Sequence, residues 1–214
     1  MTPVCYEPVC EGDNAITSDD AIIPSYSARG CVIIRLIEIL LEEHKRIDEM
    51  MDLLDLSVKK AKEPSGLPPG IMAKELDFCK NFINKCHEAK EEEVLVPELQ
   101  KRGYPMDRGP ILEMLEDHKK GRAILRRLLS SEKNAREDER QRSFSEMAAA
   151  YALFQYEHMR GEEEHILKKA DIAIERPAQE ALAAECLRFD EEKLGKGSHS
   201  RYLESIKEIR SGLG

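Results

Sequence analysis

Tryptophan is absent from the sequence, and aromatic residues make up only 5% of its 214 positions. Charged residues make up 35%, and the chain is rich in Leu, Glu, Lys, Ala and Arg. Such a composition favours helices over sheets. The length suits one domain with appendages, and it is sufficient to bury an apolar core.

The sequence also lacks the patterns of nucleic-acid-binding, membrane and secreted proteins. Its net charge is −9 and its pI is near 5.3, so a surface that follows phosphates is not expected. No apolar run reaches the roughly 18 residues that a membrane span needs. The first thirty residues have no basic start followed by an apolar stretch. We therefore expect no signal peptide and a cytoplasmic location.

No pair among the six cysteines has the C-x-x-C spacing of a zinc or redox motif. The closest pair is Cys5 and Cys10, in "CYEPVC". A cytosolic setting favours free thiols. We interpret this pair as mobile thiols rather than as a ligand set or a redox switch.

Apolar residues recur three and four positions apart in four long segments, which is the pattern of amphipathic helices. The segments begin near residues 31, 71, 108 and 143. The first, second and fourth end near residues 63, 101 and 174, and the third ends within the charged stretch 132–142. Pro97 could bend the second segment. The pattern predicts an all-α protein without strands, built as an up-down-up-down four-helix bundle at 31–175. An irregular N-terminal arm at 1–30 precedes the bundle, and a short helical C-terminal tail at 176–214 packs on it.

Four of the six histidines occupy one level of this predicted bundle. In antiparallel helices joined by a turn, residues at the same height are equally distant from that turn. The midpoints between successive members of the set fall in the three predicted breaks, at 64–70, 101–110 and 132–142. The four residues are His44, His87, His118 and His158.

Each of these histidines shares a helix face with apolar residues. Leu40 and Ile47, for example, lie four positions before and three positions after His44. A single histidine in such a stripe is usually a core residue that bonds a neighbouring hydroxyl or carbonyl. Four at one level leave little room for separate partners, and a shared metal explains them better.

Two glutamates join the histidines on the inward face. Glu91 and Glu162 each follow a histidine by four residues, so each is rotated by only ~40° and raised by ~6 Å along its helix. The other acids nearby are expected at the solvated surface. Six inward ligands are too many for one tetrahedral zinc ion. They suit two first-row ions bridged by the two glutamates, with iron favoured and manganese or zinc as substitutes.

This combination resembles the hemerythrin-like family, the HHE cation-binding domain, in its prokaryotic branch. That family's pattern is a His, then H-x-x-x-E, then a His, then a second H-x-x-x-E, on four successive helices. In this sequence the pattern is present as His44, "HEAKE" (87–91), His118 and "HMRGE" (158–162). The resemblance covers about residues 32–205 and includes the tail sequence "GKGSHSRY". Gly161 stands where the family would have a lysine, and residues 1–30 have no counterpart.

The resemblance implies a non-haem di-iron centre, with two iron ions joined by an oxo or hydroxo bridge. Such a centre binds or reacts with dioxygen, and in some members with peroxide or nitric oxide. Blood-worm hemerythrins have five histidines at the centre, whereas this sequence has four, and the open position favours reaction over reversible carriage. If the protein is an enzyme, it is a di-iron oxidoreductase that reduces peroxide or oxygen. The sequence does not distinguish a monomer from a dimer.

Further residues are candidates for roles at this centre. Tyr151, which lies behind His158 on the same helix wall, is the one candidate catalytic residue, as a donor of a hydrogen bond or an electron. His199 is expected to cap the bundle end. Candidates for additional ligands, or for residues that contact a ligand, are His165, Asp48 and Glu88.

Two other classes remain open at this point. A ferritin-type carboxylate protein would need Glu-x-x-His twice, and only "EEEH" at 162–165 offers it. A metal-free helical interaction module would leave the inward polar groups unpaired, at a cost of several kcal/mol each, roughly. Binding or sensing of oxygen or iron without turnover is the alternative within the di-iron class.

Overall fold

The computed structural model of the protein describes residues 25–26, 32–131 and 137–214, with side chains at 34–130 and 142–214. Most of the predicted arm at 1–30, with Cys5 and Cys10, lies outside the described residues.

Six helical runs make up almost all of the described chain. They are α1 (Leu36–Lys60), α2 (71–101), α3 (Pro110–Ser131), α4 (137–173), α5 (Arg176–Leu194) and α6 (Ser198–Leu213). A two-residue antiparallel pair, β1 (Ser25–Tyr26) with β2 (Val32–Ile33), precedes them and was not expected. The β-branched side chains at 32 and 33 favour extended backbone. The all-helical class is therefore correct apart from this pair.

Two of these runs are not uniform α-helices. In α2, π-helical segments occupy Phe78–His87 and Glu91–Leu95, between α-helical turns. In α4, a π-helical segment occupies Glu163–Leu167, directly after Glu162. Wider turns of this kind are frequent at functional sites, because they re-aim side chains along a helix. The last α-helical piece of α2 has Pro97 in its first turn, directly after a π-helical segment.

The helix boundaries differ from the sequence predictions at two places. α3 ends at Ser131, and α4 begins at Glu137, six residues before the predicted start. The residues at 137–142 are mostly Glu, Arg and Gln, which favour a helix without forming an apolar stripe, so the periodicity missed them. The tail helices α5 and α6 have 19 and 16 residues and are not short.

The four long helices pack as neighbours around a common interior. α4 contacts α1 and α3, and α3 contacts the π-helical part of α2. The tail folds back on itself at Gly195 and Gly197, whose positive φ values of 85° and 71° are conformations that other residues rarely adopt. α5 and α6 then lie against α1 and α2. His199 is consequently on the flank of the bundle, and the prediction that it caps the bundle end is wrong.

The apolar core is divided into two clusters. One contains Ile47, Ile83 and Leu125, and the other contains Leu40 and Val94. Each predicted inward histidine lies between a member of one cluster and a member of the other along its own helix. The division leaves a polar layer across the middle of the interior, which is where the chemistry of the molecule is concentrated.

Among helices in the described ranges 32–131 and 137–214, none is both long and apolar enough to span a membrane.

Candidate metal centre

All six inward residues predicted from the sequence meet in this polar layer. None has more than 6% of its surface exposed. His44, His87, Glu91 and Glu162 each place one ligand atom within 4.8 Å of the others, and His118, His158 and Glu162 do the same. α1 contributes one of these residues, α2 two, α3 one and α4 two.

Glu162 connects the two groups. Its Oε2 atom lies 3.3 Å from Nε2 of His44, and its Oε1 atom lies 3.0 Å from Nε2 of His158. The same Oε1 atom lies 3.3 Å from Nε2 of His118. One oxygen therefore faces each group, as a carboxylate that bridges two ions would require.

Glu91 spans the same gap from α2. Its Oε2 atom lies 3.6 Å from Nε2 of His87 and 3.3 Å from Nε2 of His118. The imidazoles form two edge-to-face pairs. The centroids of His44 and His87 are 4.8 Å apart, and those of His118 and His158 are 4.9 Å apart. The layer thus has two halves with a histidine pair in each and two glutamates shared between them.

The inward atoms need a partner that the described part of the chain does not supply. The buried atoms Nε2 of His44, His87 and His158, both oxygens of Glu91 and Oε2 of Glu162 make no hydrogen bond within the described residues. Nε2 of His44 faces Oε2 of Glu162, and Nε2 of His87 faces Oε2 of Glu91, at ion-pair distances but without hydrogen-bond geometry. Two ligand atoms about 2.1 Å from one ion, at right angles, are about 3 Å apart. The observed separations of 3.0 to 3.6 Å fit that arrangement.

A comparison with protein-family models gives a match to the hemerythrin HHE cation-binding domain over residues 35–170. The chain belongs to this family. No curated protein and no solved structure matches the chain significantly. Membership assigns a cation-binding domain to the chain, and the clusters of His and Glu described above suit a metal site in that domain.

The electrostatics of the HHE domain without metal place protons on His44 and His118. Burial lowers the pKa of His118, but Glu162, Glu91 and Glu92 together raise it to about 12. Burial likewise opposes a charge on His44, yet Glu162 and Glu163 raise its pKa to about 10. The pKa of the Glu162 carboxyl is well below its usual value, because the neighbouring histidines outweigh its burial. Cation binding must therefore displace protons from the imidazoles.

Three further carboxylates hold the outer nitrogens of the histidines, and the sequence reasoning missed them. Nδ1 of His87 lies 3.1 Å from Oε2 of Glu43, and Nδ1 of His118 lies 2.8 Å from Oε1 of Glu92. Nδ1 of His44 lies 2.9 Å from Oε1 of Glu163. A proton on each Nδ1 donated to these acids leaves Nε2 free to face the layer.

The positions of these three acids follow one rule. Each acid directly precedes or follows an inward residue on its own helix, and each contacts Nδ1 of a histidine on an adjacent helix. A residue one step from an inward position is rotated by ~100° and points toward the seam between helices. The signal was therefore present in the sequence as "EEH" at 42–44 and "EEE" at 91–93 and 162–164.

Glu88 differs from its predicted surface position. It is 1% exposed, and its Oε2 atom accepts a hydrogen bond from Arg122 at 2.8 Å. Arg122 also donates to Glu92 at 2.8 Å, so one guanidinium holds two acids beside His118. Burial raises the pKa of the Glu88 carboxyl. One ligand atom each of Glu88, Glu92 and His118 lies within 4.8 Å of the others, so Glu88 stays a candidate for an additional ligand or for a residue that contacts a ligand.

Two other candidate ligands lie outside the cluster. The side chain of His165 is 60% exposed. It lines a surface depression with Tyr104, Pro105 and Lys169. A residue seven positions after His158 would share its face only with uninterrupted α-helical rotation, and the π-helical segment Glu163–Leu167 interrupts that rotation. Asp48 is exposed on α1 and belongs to none of the clusters of potential ligands in the described chain.

Tyr151 is fully buried on α4, and its hydroxyl has no hydrogen-bond partner among the described residues. Burial raises the pKa of this phenol well above its usual value. Phe154, one turn further along, stacks on the ring of His158 with centroids 5.9 Å apart. Gly161 has open space around it, so a side chain at this position would be accommodated.

Proposed function

We propose that this chain binds two iron ions in the polar layer and that the loaded protein reacts with dioxygen, peroxide or nitric oxide. One ion would be held by His44 and His87 and the other by His118 and His158, with Glu91 and Glu162 shared. The observation that carries this proposal is the set of six buried inward nitrogen and oxygen atoms that make no hydrogen bond within the described part of the chain. Such atoms oppose folding unless a cation satisfies them.

The choice of iron over zinc rests on the donor set. Structural zinc is bound by four ligands and prefers thiolates and imidazoles in closed sites. The layer offers four imidazoles and two carboxylates, a hard and mixed set that suits iron or manganese in six-coordinate geometry. With Glu91 and Glu162 shared, each ion would have four protein donors and open positions. Iron bound there would supply a redox-active centre that accepts small oxygen or nitrogen ligands.

The residues around the layer have distinct tasks in this proposal. Glu43, Glu92 and Glu163 fix the orientation of three imidazoles through Nδ1. The two apolar clusters above and below the layer exclude bulk water. Tyr151 remains a proposed donor of a hydrogen bond or an electron, supported by its buried and unpaired hydroxyl.

An up-down-up-down topology is part of the same proposal. α1 and α4 run antiparallel, because Asp52 contacts Tyr156 whereas His44, earlier in α1, contacts Glu163, later in α4.

A cytoplasmic location is also proposed. The cysteines with described side chains, Cys79, Cys86 and Cys186, are buried free thiols, as expected in a reducing compartment.

Rapid mixing of the diferrous protein with dioxygen tests the reactivity. We expect fast oxidation without a long-lived coloured adduct, and consumption of added hydrogen peroxide, because the open positions admit both molecules. A stable adduct that releases dioxygen intact under vacuum would contradict this reading and indicate carriage. Tyr151→Phe is the matched variant: slower oxidation with unchanged iron content supports the donor role, and an unchanged rate contradicts it.

A further inference from the structure

A second buried polar cluster joins the C-terminal tail to His87. On the tail, Nε2 of His199 in α6 lies 2.9 Å from Oδ2 of Asp190 in α5. On the bundle, Nζ of Lys90 lies 2.9 Å from Oδ1 of Asp190 and also donates to Oε1 of Glu43. Glu43 in turn accepts from Nδ1 of His87 at 3.1 Å. A continuous path of polar contacts therefore runs from the tail to the metal layer.

The charges in this path are almost completely withdrawn from water. The side chain of Lys90 is 0% exposed, that of Glu43 is 2% exposed and that of Asp190 is 5% exposed. Cys86 donates its thiol to Oδ1 of Asp190 at 2.9 Å. Buried ions are tolerated only when each is paired, and removing one partner leaves an uncompensated charge in the interior.

The cluster contains donors for a metal but is filled by an ammonium group. Ligand atoms of Glu43, Cys86, Asp190 and His199 lie within 4.8 Å of one another, which is a spacing that could hold an ion. Lys90 places its own cation between two of these carboxylates. The lysine supplies the positive charge, so this cluster is a structural relay and not a further metal site.

The two oxygens of Glu43 have different partners. Oε1 is bound to Lys90, and Oε2 is bound to His87. Asp190 also pairs with the ammonium of Lys90, and this second pairing weakens the electrostatic attraction between Lys90 and Glu43. A carboxylate that orients a ligating imidazole affects the affinity of the metal. Asp190, although it belongs to the tail, therefore acts on His87 through two intermediaries.

We infer that α5 and α6 act as a positioning element for the metal centre, with Asp190 and His199 as positioning residues for His87. Docking of the tail and binding of metal at the His87 position stabilise one another, since coupling between two sites is reciprocal. This inference rests on the proposed function, because it requires a metal at His87.

Anaerobic titration of the full chain with Fe(II) against a competing chelator tests the coupling, with amide hydrogen exchange of residues 176–213 as the second readout. We expect Asp190→Asn to weaken one of the two iron sites by about 10- to 100-fold and to leave the other near its wild-type affinity. In the wild type, iron should slow exchange in the tail, and in the variant this protection should shrink. Glu208→Gln is the control, because it breaks an exposed 2.6 Å pair between α6 and Lys74 outside the cluster.

The outcomes separate the two claims. If Asp190→Asn binds both ions as the wild type does, or changes them no more than Glu208→Gln does, the positioning role is overturned. If Asp190→Asn does not fold, His199→Gln is measured in its place, because the wild-type His199 side chain contacts Asp190 but is 41% exposed. An unchanged iron affinity of His199→Gln overturns the inference as well. A wild-type chain that binds no iron would overturn the proposed function itself, and the coupling with it.

Discussion

The pKa of each buried carboxyl in this protein depends on whether a cationic side chain lies beside it. Burial alone would raise the pKa of Glu43, but Lys90 and His87 lower it to about 2. Burial also opposes the charge on Glu92, yet His118 and Arg122 lower its pKa to about 2. Within the described residues, Glu75 has only the hydroxyl of Ser57 as a hydrogen-bond partner, at 2.5 Å, and burial raises the pKa of its carboxyl to about 8. Glu75 is therefore a buried acid that is neutral near pH 7.

Glu75→Gln should remove a pH dependence from the stability. Between the ordinary pKa of 4.5 and about 8, the folded wild type holds a proton on Glu75 that the unfolded chain has released. The free energy of unfolding of the wild type therefore falls as pH rises through this window, by up to ~1.4 kcal/mol per pH unit from this group. Below pH 4.5 the contribution is fully retained. The amide of Gln has no such loss, so the variant should gain stability over the wild type as pH rises.

Urea unfolding at pH 5 and pH 8 measures this difference. Glu63→Gln serves as the control, because Glu63 is an exposed acid near the end of α1 with 52% of its side chain accessible. The account of Glu75 is contradicted if the wild type and Glu75→Gln lose the same free energy of unfolding between the two pH values.

Glu92 and Glu93 provide a matched pair of neighbouring acids. Glu92 accepts from Nδ1 of His118 at 2.8 Å, whereas Glu93 is 53% exposed and pairs with Lys193 on the surface. We expect Glu92→Gln to weaken iron binding by about 10- to 100-fold, because the amide holds the imidazole less firmly. Glu93→Gln should bind iron as the wild type does. Equal affinities of the two variants, measured by chelator competition, would show that the contact to His118 has no influence.

At the residue scale, the sequence predicted the six inward residues because their spacing needed only α-helical rotation and symmetric turns. It did not predict Glu43, Glu92 and Glu163, because each acts on a different helix from its own and periodicity describes single helices. The expectation for His165 failed for another reason. The π-helical segment Glu163–Leu167 changes the rotation per residue, and no composition signal marks that change.

The helices of the bundle are divided by the polar layer rather than packed along a continuous apolar core. Each of α1, α2, α3 and α4 places polar groups at the middle of its buried face. Without a cation, this layer contains buried groups that lack hydrogen bonds. The helix segments at the layer should therefore be less stable than those at either end when metal is removed.

Hydrogen exchange of metal-free and iron-loaded protein tests this expectation. Metal removal should raise amide exchange most at 83–95 and 158–167, which carry four of the inward residues, two complete π-helical segments and the end of a third. The segments around Met50 and Leu128, deep in one apolar cluster, should keep most of their protection. Uniform loss of protection along all four helices would contradict a local role for the layer.

At the scale of elements, Pro and Gly marked the ends of α1 and α2 well enough to place the turns. The start of α4 at Glu137 was missed, because a helix made of polar residues leaves no apolar stripe. The orientation of the tail was also beyond the sequence. That orientation includes a hydrogen-bonded ion pair between Lys90 and Asp190, which are 100 positions apart in the chain.

The whole molecule combines a negative net charge with protonated histidines in its interior. The net charge is −9. In the metal-free state, contacts with glutamates outweigh the effect of burial and keep His44 and His118 charged. A divalent cation replaces these protons, so the metal affinity should rise with pH. Membership of the HHE family assigns a cation-binding domain to the chain.

The polar layer offers ligands for a pair of ions, so the iron content per chain is the decisive quantity. After anaerobic loading with Fe(II) and removal of excess metal, elemental analysis should give about two iron ions per wild-type chain, as the two histidine pairs and two shared glutamates imply. His118→Ala should hold less iron and melt at a lower temperature. A wild-type content of one ion or fewer per chain would contradict the paired centre.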